Sequence, residues 1–272
     1  MSPKKLVTVL LLAALGAKAQ KIELGLSLGA CNYWGDLAPE LVQKETNACG
    51  GLFARINFNT TWAWNNQINL YKLTGSDQNF TYNNFRNLNF RTNVTELASV
   101  FEFNFLKYGP GVLDKNFTSY VYAGVALFSF NPQAELPDQN WYDLRVYETE
   151  GVAYNTYSYA IPFGIGIKAK INRKFSFESQ IGFRRTFTDY LDDVSTVYPD
   201  MTALQTDKGV IAQWLTDGSA YYQGNRNGVP FGTPMNKTGY KRGDPSYNDW
   251  YMNWTVSLVW RIWSRSKCAR FY

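Results

Sequence analysis

The sequence predicts an all-β protein, an eight-stranded antiparallel barrel that spans a membrane. Segments of about ten residues alternate strictly between apolar and polar side chains, aromatic residues make up 17% of the chain, and no long helix-type run follows the N-terminal segment. Strict alternation is the pattern of a strand with one apolar face. In lipid every backbone N–H and C=O needs a partner, which β-structure provides only as a closed barrel.

An export signal is predicted at residues 1–19. Two lysines precede a short apolar run, and the segment from Ala17 to Ala19 has the small-x-small spacing that a signal peptidase recognises. The apolar run is shorter than the roughly 20 residues that a spanning helix needs. The mature chain is therefore expected to begin near Gln20 and to leave the cytoplasm.

Charge and residue counts argue against several function classes. Loss of the leader removes Lys4, Lys5 and Lys18, so 27 Lys+Arg become 24 against 22 Asp+Glu, and the net charge falls from +5 to +2. A nearly balanced chain offers no concentrated basic face for nucleic acid. The chain has no histidine, the usual base of nucleophilic catalytic pairs. We expect no enzyme activity, no cofactor and no nucleic-acid partner.

Eight alternating segments provide the strands. Each has one apolar face, which we assign to lipid, and one small or polar face, which we assign to the lumen. The segments are residues 22–31, 52–58, 62–70, 96–105, 120–127, 161–168, 175–184 and 252–262. Because eight is the smallest number usual for such barrels, side chains are expected to fill the interior.

Charged side chains of both signs fall on the lumen-facing positions. A buried charge without a partner costs several kcal/mol, so these side chains are expected to pair. The set consists of Glu23, Arg55, Glu96, Glu102, Lys168, Glu178, Arg184 and Arg261. A soluble β-barrel or sandwich is the alternative, and its outer faces would be strongly charged. The small and polar character of the second face favours the membrane barrel.

The connections between strands fall into two length classes, which predicts the two ends of the barrel. Three connections are short, whereas long loops are expected at 75–93, 130–156 and 189–248. Membrane barrels place short turns in the periplasm and long loops outside. The barrel is therefore expected to occupy residues 20–263, followed by a basic periplasmic tail at 264–272.

One acidic stretch, TFTDYLDDVSTVYPD from Thr186 to Asp200, holds four aspartates. It resembles a calcium loop only loosely, because Leu191 interrupts the carboxylates and the glycine of an EF-hand loop is missing. The alternative is a structural loop whose carboxylates cap backbone N–H groups or pair with Arg184 and Arg185. The sequence favours the structural role.

Three cysteines form an odd set for an exported protein. Cys31 and Cys49 flank the first loop and are candidates for a disulfide, which would close a loop of about 17 residues. Cys268 would then remain unpaired in the basic tail. It is either an incidental thiol or a covalent tether to a periplasmic partner, and both interpretations stay open.

Five segments carry a family resemblance in the same order along nearly the whole mature chain. They are ELGLSLGACNYWGDLAPE (23–40), RNLNFRTNVTELASVFEFNF (86–105), YVYAGVALFSFNPQA (120–134), YETEGVAYN (147–155) and FRRTFTDYLDDVSTVYPD (183–200). These segments resemble the PorG family, the outer-membrane barrels of the type IX secretion system of Bacteroidetes. The family-marker loop within the last segment comprises Thr188, Asp189, Tyr190, Leu191, Asp192 and Asp193.

The resemblance implies a non-enzymatic role in protein export. Proteins of this family associate with the periplasmic ring of the lipoprotein PorK and its partner PorN, and hold that ring at the outer membrane. Secretion depends on the machine, as does gliding in motile species. The alternative is a stand-alone surface protein, an adhesin or sensor that acts through its long outer loops. Outer-membrane lipid is the expected surrounding in either case.

Overall fold

This computed structural model describes residues 21–81, 83, 85–108, 116–223, 233 and 237–262. The predicted leader and the tail with Cys268 lie outside this part of the chain. The described residues form ten strands, eight of them in the barrel wall. They are β1 (Lys21–Trp34), β2 (Asn47–Asn57), β3 (Trp62–Ser76), β4 (Asn89–Asn104), β5 (Phe117–Ser129), β6 (Pro132–Glu135), β7 (Trp141–Asp143), β8 (Tyr157–Lys170), β9 (Phe175–Thr186) and β10 (Trp250–Arg261).

Antiparallel pairing closes the wall into a barrel. The order around it is β1, β2, β3, β4, β5, β8, β9 and β10, and β10 pairs again with β1. Each of the eight described wall strands therefore has a partner on both sides, so the wall itself has no open edge. Closure of this kind is what a lipid environment demands of β-structure. The predicted fold class is confirmed.

A belt of apolar side chains covers the outside of the wall. In β1, Leu26 and Leu28 are 50% and 65% exposed, whereas Glu23 and Ser27 on the other face are buried. The other wall strands alternate in the same sense. Exposed members of the belt include Leu52, Ile68, Leu97, Phe101, Val125, Ile165, Ile181, Trp254 and Leu258. A soluble barrel would direct these side chains inward, so the arrangement is that of a transmembrane barrel.

Strands β3 and β4 extend beyond this belt, further than the alternation predicted. The expected loop at 75–93 is confined to 77–88, because Ser76 pairs with Asn89 at the top of the extension. Within it the two faces exchange character. Leu73 and Phe90 are buried inside, while Lys72 and Asn93 are exposed outside. The outer face becomes polar because it has left the lipid, and the inner face becomes apolar because it surrounds a core.

That core fills the lumen at the long-loop end. The ring of Tyr33 lies edge-on to Phe90 with centroids 4.8 Å apart, and the rings of Tyr71 and Tyr251 lie 5.1 Å apart. Phe128, Phe130, Leu191 and Val194 belong to the same buried cluster. The sequence predicted charges in the lumen but not this aromatic plug.

The long loops contain regular structure. β6 pairs with the start of β4 and β7 pairs with β6, which forms a hairpin on the rim of the barrel. Helical segments follow at α1 (Leu144–Tyr147), α2 (Met201–Lys208) and α3 (Val210–Thr216), with single turns at Gln43–Glu45, Asp77–Asn79 and Gly218–Tyr221. None of the described helices has the length and apolar character needed to cross a membrane. We call the described residues of 35–46, 77–88, 130–156 and 187–249 the loop cap.

Candidate functional site

The lumen holds a layer of paired charges near the short-turn end. The guanidinium of Arg55 lies at its centre, with N–O distances of 3.0 Å to Glu23, 2.8 Å to Glu102 and 2.6 Å to Glu178. Lys168 also contacts Glu102, and Arg261 lies 3.0 Å from Glu23. Three carboxylates thus face three cations. All six side chains are almost wholly buried.

A second charge pair lies between this layer and the aromatic plug. Glu96 accepts hydrogen bonds from Tyr251 (2.7 Å), Asn69 (2.8 Å) and Tyr71 (3.1 Å). Arg184 lies 3.4 Å from Glu96. The structure thus brings all eight sequence-predicted lumen charges into ion pairs, in two layers of zero net charge. Together with the aromatic plug, these layers leave the lumen occupied by side chains along its length.

The family-marker loop closes the barrel mouth through the hydroxyl of Tyr33. Asp192 Oδ2 lies 2.7 Å from this hydroxyl, and Asp249 Oδ1 contacts it as well. A phenol has one proton and can donate to only one carboxylate at a time, so the two contacts are most favourable when one of the two carboxyls is protonated. Asp192 also accepts from the backbone N–H of Leu37 (3.2 Å) and Val194 (3.0 Å).

Asp193 belongs to a separate buried cluster with Arg242. The guanidinium of Arg242 lies 2.9 Å from Glu150 Oε1 and 3.5 Å from Asp193 Oδ2. Tyr154 donates to Asp193 Oδ1 at 2.6 Å, and Glu150 accepts from the backbone N–H of Ser195 at 2.9 Å. These contacts connect the loop after β5 with the loop after β9.

The structure corrects part of the interpretation of the acidic stretch. Its carboxylates do cap backbone N–H groups, but the cation beside Asp193 is Arg242, not Arg184 or Arg185. Arg184 is inside the lumen with Glu96, and Arg185 lies over the ring of Trp250. In the described part of the chain, no three His, Cys, Asp or Glu side chains are placed to hold a metal ion.

The predicted disulfide between Cys31 and Cys49 is not formed in this structure. Cys31 and Cys49 are both buried free thiols. Cys31 lies opposite Asn47, and Cys49 opposite Gly29, so the two cysteines are offset diagonally by two positions. The Cys31 thiol instead donates to the carbonyl of Lys72 at 3.2 Å.

The sequence matches one known protein family. A family model described as "Domain of unknown function (DUF6089)" matches residues 4–214. The chain belongs to this family. The match takes in the family-marker loop and seven of the eight wall strands. No curated protein matches the sequence of this DUF6089 chain.

Several solved structures of outer-membrane proteins are similar to this DUF6089 chain, with TM-scores below 0.5. OprG of Pseudomonas aeruginosa has a TM-score of 0.44 and 9% identity, with 92% of this chain and 99% of OprG covered. Ail of Yersinia pestis has a TM-score of 0.40 and 7% identity, with 90% and 100% covered. Neisserial surface protein A has a TM-score of 0.39 and 8% identity, with 89% and 97% covered. Likeness at this level carries no information about function.

Burial gives the DUF6089 loop cap unusual titration behaviour. Burial raises the pKa of Asp189 to about 7 and the pKa of Asp193 to about 6, the latter in spite of Arg242. Burial also raises the pKa of Asp192 and of Asp249 well above the ordinary range. The folded cap therefore binds protons more tightly than the unfolded chain, in which an aspartate titrates near 3.9.

We expect the loop cap of this DUF6089 protein to open more readily as the pH rises from 5 to 8. A raised folded-state pKa stabilises the fold at low pH, and that stability is lost as the pH rises through the folded value. After correction for intrinsic rates, hydrogen exchange should show at least tenfold less protection at 188–196, about 1.4 kcal/mol, with the wall strands unchanged. Asp189→Asn should flatten the dependence, because this carboxyl titrates within the pH range and an amide stays neutral throughout it. Protection that stays constant or increases would refute this.

Proposed function

We propose that this protein is a non-enzymatic, non-conducting subunit of the type IX protein secretion machinery in the outer membrane, where it holds the periplasmic PorK/PorN ring. The occupied lumen carries the proposal. An eight-stranded wall filled by two neutral charge layers and an aromatic plug is a rigid anchor and a poor conduit. The family resemblance of five sequence segments supports the specific machine.

The short-turn end offers a preformed docking edge. Asn59 Oδ1 accepts from the backbone N–H of Thr61 (2.7 Å) and Trp62 (2.8 Å). Asn172 does the same for Lys174 (2.8 Å) and Phe175 (2.9 Å). Such side-chain bonds fix a turn in one conformation, which lowers the entropy lost on binding.

This edge is basic. Lys107, Arg173 and Lys174 are exposed on it, and the described residues of its three turns include no aspartate or glutamate. Tyr108 is drawn into the lumen, where Arg261 Nη2 donates to its hydroxyl at 2.6 Å and its backbone N–H bonds to Thr60. The edge is therefore held to the barrel and suits an acidic partner surface.

Charge reversal at this edge tests the proposal. We expect the tagged Arg173→Glu/Lys174→Glu protein to recover at least fivefold less periplasmic ring lipoprotein than the wild type in a gentle detergent pull-down. The reason is like-charge repulsion across the interface. Arg145→Glu is the matched control, an exposed cation on the loop cap, and should leave recovery unchanged.

The same pull-down examines the proposed tether through Cys268. A thiol-sensitive heavier band that disappears in Cys268→Ser would support a covalent link, whereas ring subunits without that band would keep the anchor and remove the link. A wild-type barrel that purifies at native expression without any ring subunit would overturn the secretion role. The structured loop cap would then favour a surface protein that acts through its outer loops.

A further inference from the structure

A cavity of about 450 Å³ opens on the loop cap, beside the barrel mouth. Its walls come from the ends of β3 and β4, the β6–β7 hairpin and the turns Gln43–Glu45 and Gly218–Tyr221. The volume lies within the range of roughly 300–1,000 Å³ that small-molecule sites occupy. The lumen charges and the family-marker loop take no part in it.

Hydrogen bonds hold the walls of the cavity in place. Asn89 bonds twice to the backbone of Glu135, at 3.0 Å and 2.9 Å, which fixes the hairpin to β4. Gln78 donates to Asn87 at 2.8 Å, and Asn87 donates to the carbonyl of Gly218 at 3.0 Å. The cavity is therefore formed before any ligand arrives.

Glu45 contributes an unused acceptor. Its residue exposure is only 3%, and it lines the cavity. Oε1 accepts from the backbone N–H of Ser76 (2.9 Å) and from Asn79 (2.8 Å). Oε2 has no hydrogen-bond partner within the described residues. A buried carboxylate oxygen left without a donor costs free energy, so a ligand donor that reaches it is favoured.

Aromatic and polar groups of the wall define the ligand chemistry. Trp141 and Tyr221 each contribute an aromatic ring to the cavity wall. The guanidinium of Arg91 lies over the ring of Trp141, 3.7 Å from its centroid. Amides and hydroxyls supply both donors and acceptors around these rings. Two carboxylates, Glu45 and Glu135, line the cavity against the single ammonium of Lys44, which disfavours an anion.

We infer that this cavity binds a neutral saccharide, with one sugar hydroxyl donating to Glu45 Oε2 and a sugar ring against the face of Trp141 that Arg91 does not cover. A sugar combines an apolar ring face with many hydroxyls, which matches a wall of rings, amides and an unpaired acceptor. The saccharide is either free or the head of a neutral glycolipid. The site is independent of the secretion role, since it lies at the opposite end of the barrel from the basic edge.

The test uses the full chain in detergent with a panel of neutral glucose, mannose, galactose and N-acetylglucosamine trisaccharides. Saturation-transfer NMR and calorimetry should detect at least one of them. Glu45→Gln should weaken that binding at least tenfold, because the amide keeps the Oε1 contacts but replaces the free acceptor by a donor. Trp141→Ala should weaken it similarly. Glu148→Gln and Tyr247→Ala, a carboxyl and a ring of the cap outside the cavity, should change it less than twofold.

Two further arms distinguish the outcomes. Binding to phosphatidylcholine vesicles with and without digalactosyldiacylglycerol distinguishes a glycolipid head group from a free sugar. Lys44→Ala should leave both the vesicle binding and the trisaccharide binding within threefold of wild type. Binding of inorganic phosphate or sulfated sugars that is lost in Lys44→Ala would overturn the inference. So would the absence of binding by every probe, or variants of Glu45 and Trp141 that keep their folded gel mobility and bind as well as the wild type.

Discussion

Replacing Arg55 with Met is expected to lower the free energy of unfolding by about 3–5 kcal/mol, the usual cost of removing one partner of a buried ion pair. Arg55 contacts three carboxylates in the lumen. Glu102 keeps its ion pair with Lys168, and Glu23 keeps its ion pair with Arg261. Glu178 loses its ion pair with Arg55 and is left as a buried carboxylate beside the shorter methionine side chain. Urea unfolding of the reconstituted protein, followed by tryptophan fluorescence, measures the change.

A second substitution separates charge from packing at this site. Arg55→Met/Glu178→Met removes one charge of each sign, and replacing a buried pair by apolar side chains is often neutral. We expect the double variant to recover most of the lost stability. If the single variant costs less than about 1 kcal/mol, or the double variant is no more stable than the single one, the pairing argument for the lumen fails.

Arg242→Met is expected to open the loop cap and leave the barrel intact. Its guanidinium is the cation beside both Glu150 and Asp193, and all three side chains are buried. Their separation should cost about 3–5 kcal/mol, confined to the cap because no wall strand contributes to the cluster. Limited proteolysis should cut the cap near 188–196, while the unfolding midpoint of the wall stays near that of the wild type.

The neighbouring lysine provides the matched control for that experiment. Lys241 pairs with Asp244 at 2.7 Å, but its side chain is 64% exposed. An exposed pair contributes at most about 1 kcal/mol, so Lys241→Met should leave the cap resistant to protease. Equal cleavage in both variants would show that charge removal alone, not burial, governs the cap.

The barrel could be predicted because its signal is local. Apolar and polar side chains alternate along each strand. This alternation assigns Leu26 to the lipid face and Glu23 to the lumen face without knowledge of which strands pair. The lumen charges followed from the same rule. Their arrangement in two layers did not, since it depends on which strands face each other across the barrel.

The cap could not be predicted because its contacts are remote and aperiodic. Tyr33 meets Asp192 across 159 positions and Asp249 across 216. Single polar contacts of this kind leave no pattern along the chain. The extension of β3 and β4 did leave a signal, since the alternation continues through Tyr71 and Leu73 with its apolar phase reversed.

The position of that reversal gives the height to which β3 rises above the lipid-facing belt. From Leu70, the last outward apolar residue of β3, six residues lead to Ser76. At about 3.3 Å per residue and a strand tilt near 40°, they rise about 15 Å above the lipid-facing belt. The headgroup layer on one side of a bilayer is only about 5–8 Å deep. The extension of β3 and β4 thus raises the cavity beside it above the headgroup layer. A macromolecule too large to approach the lipid surface can still reach the cavity there.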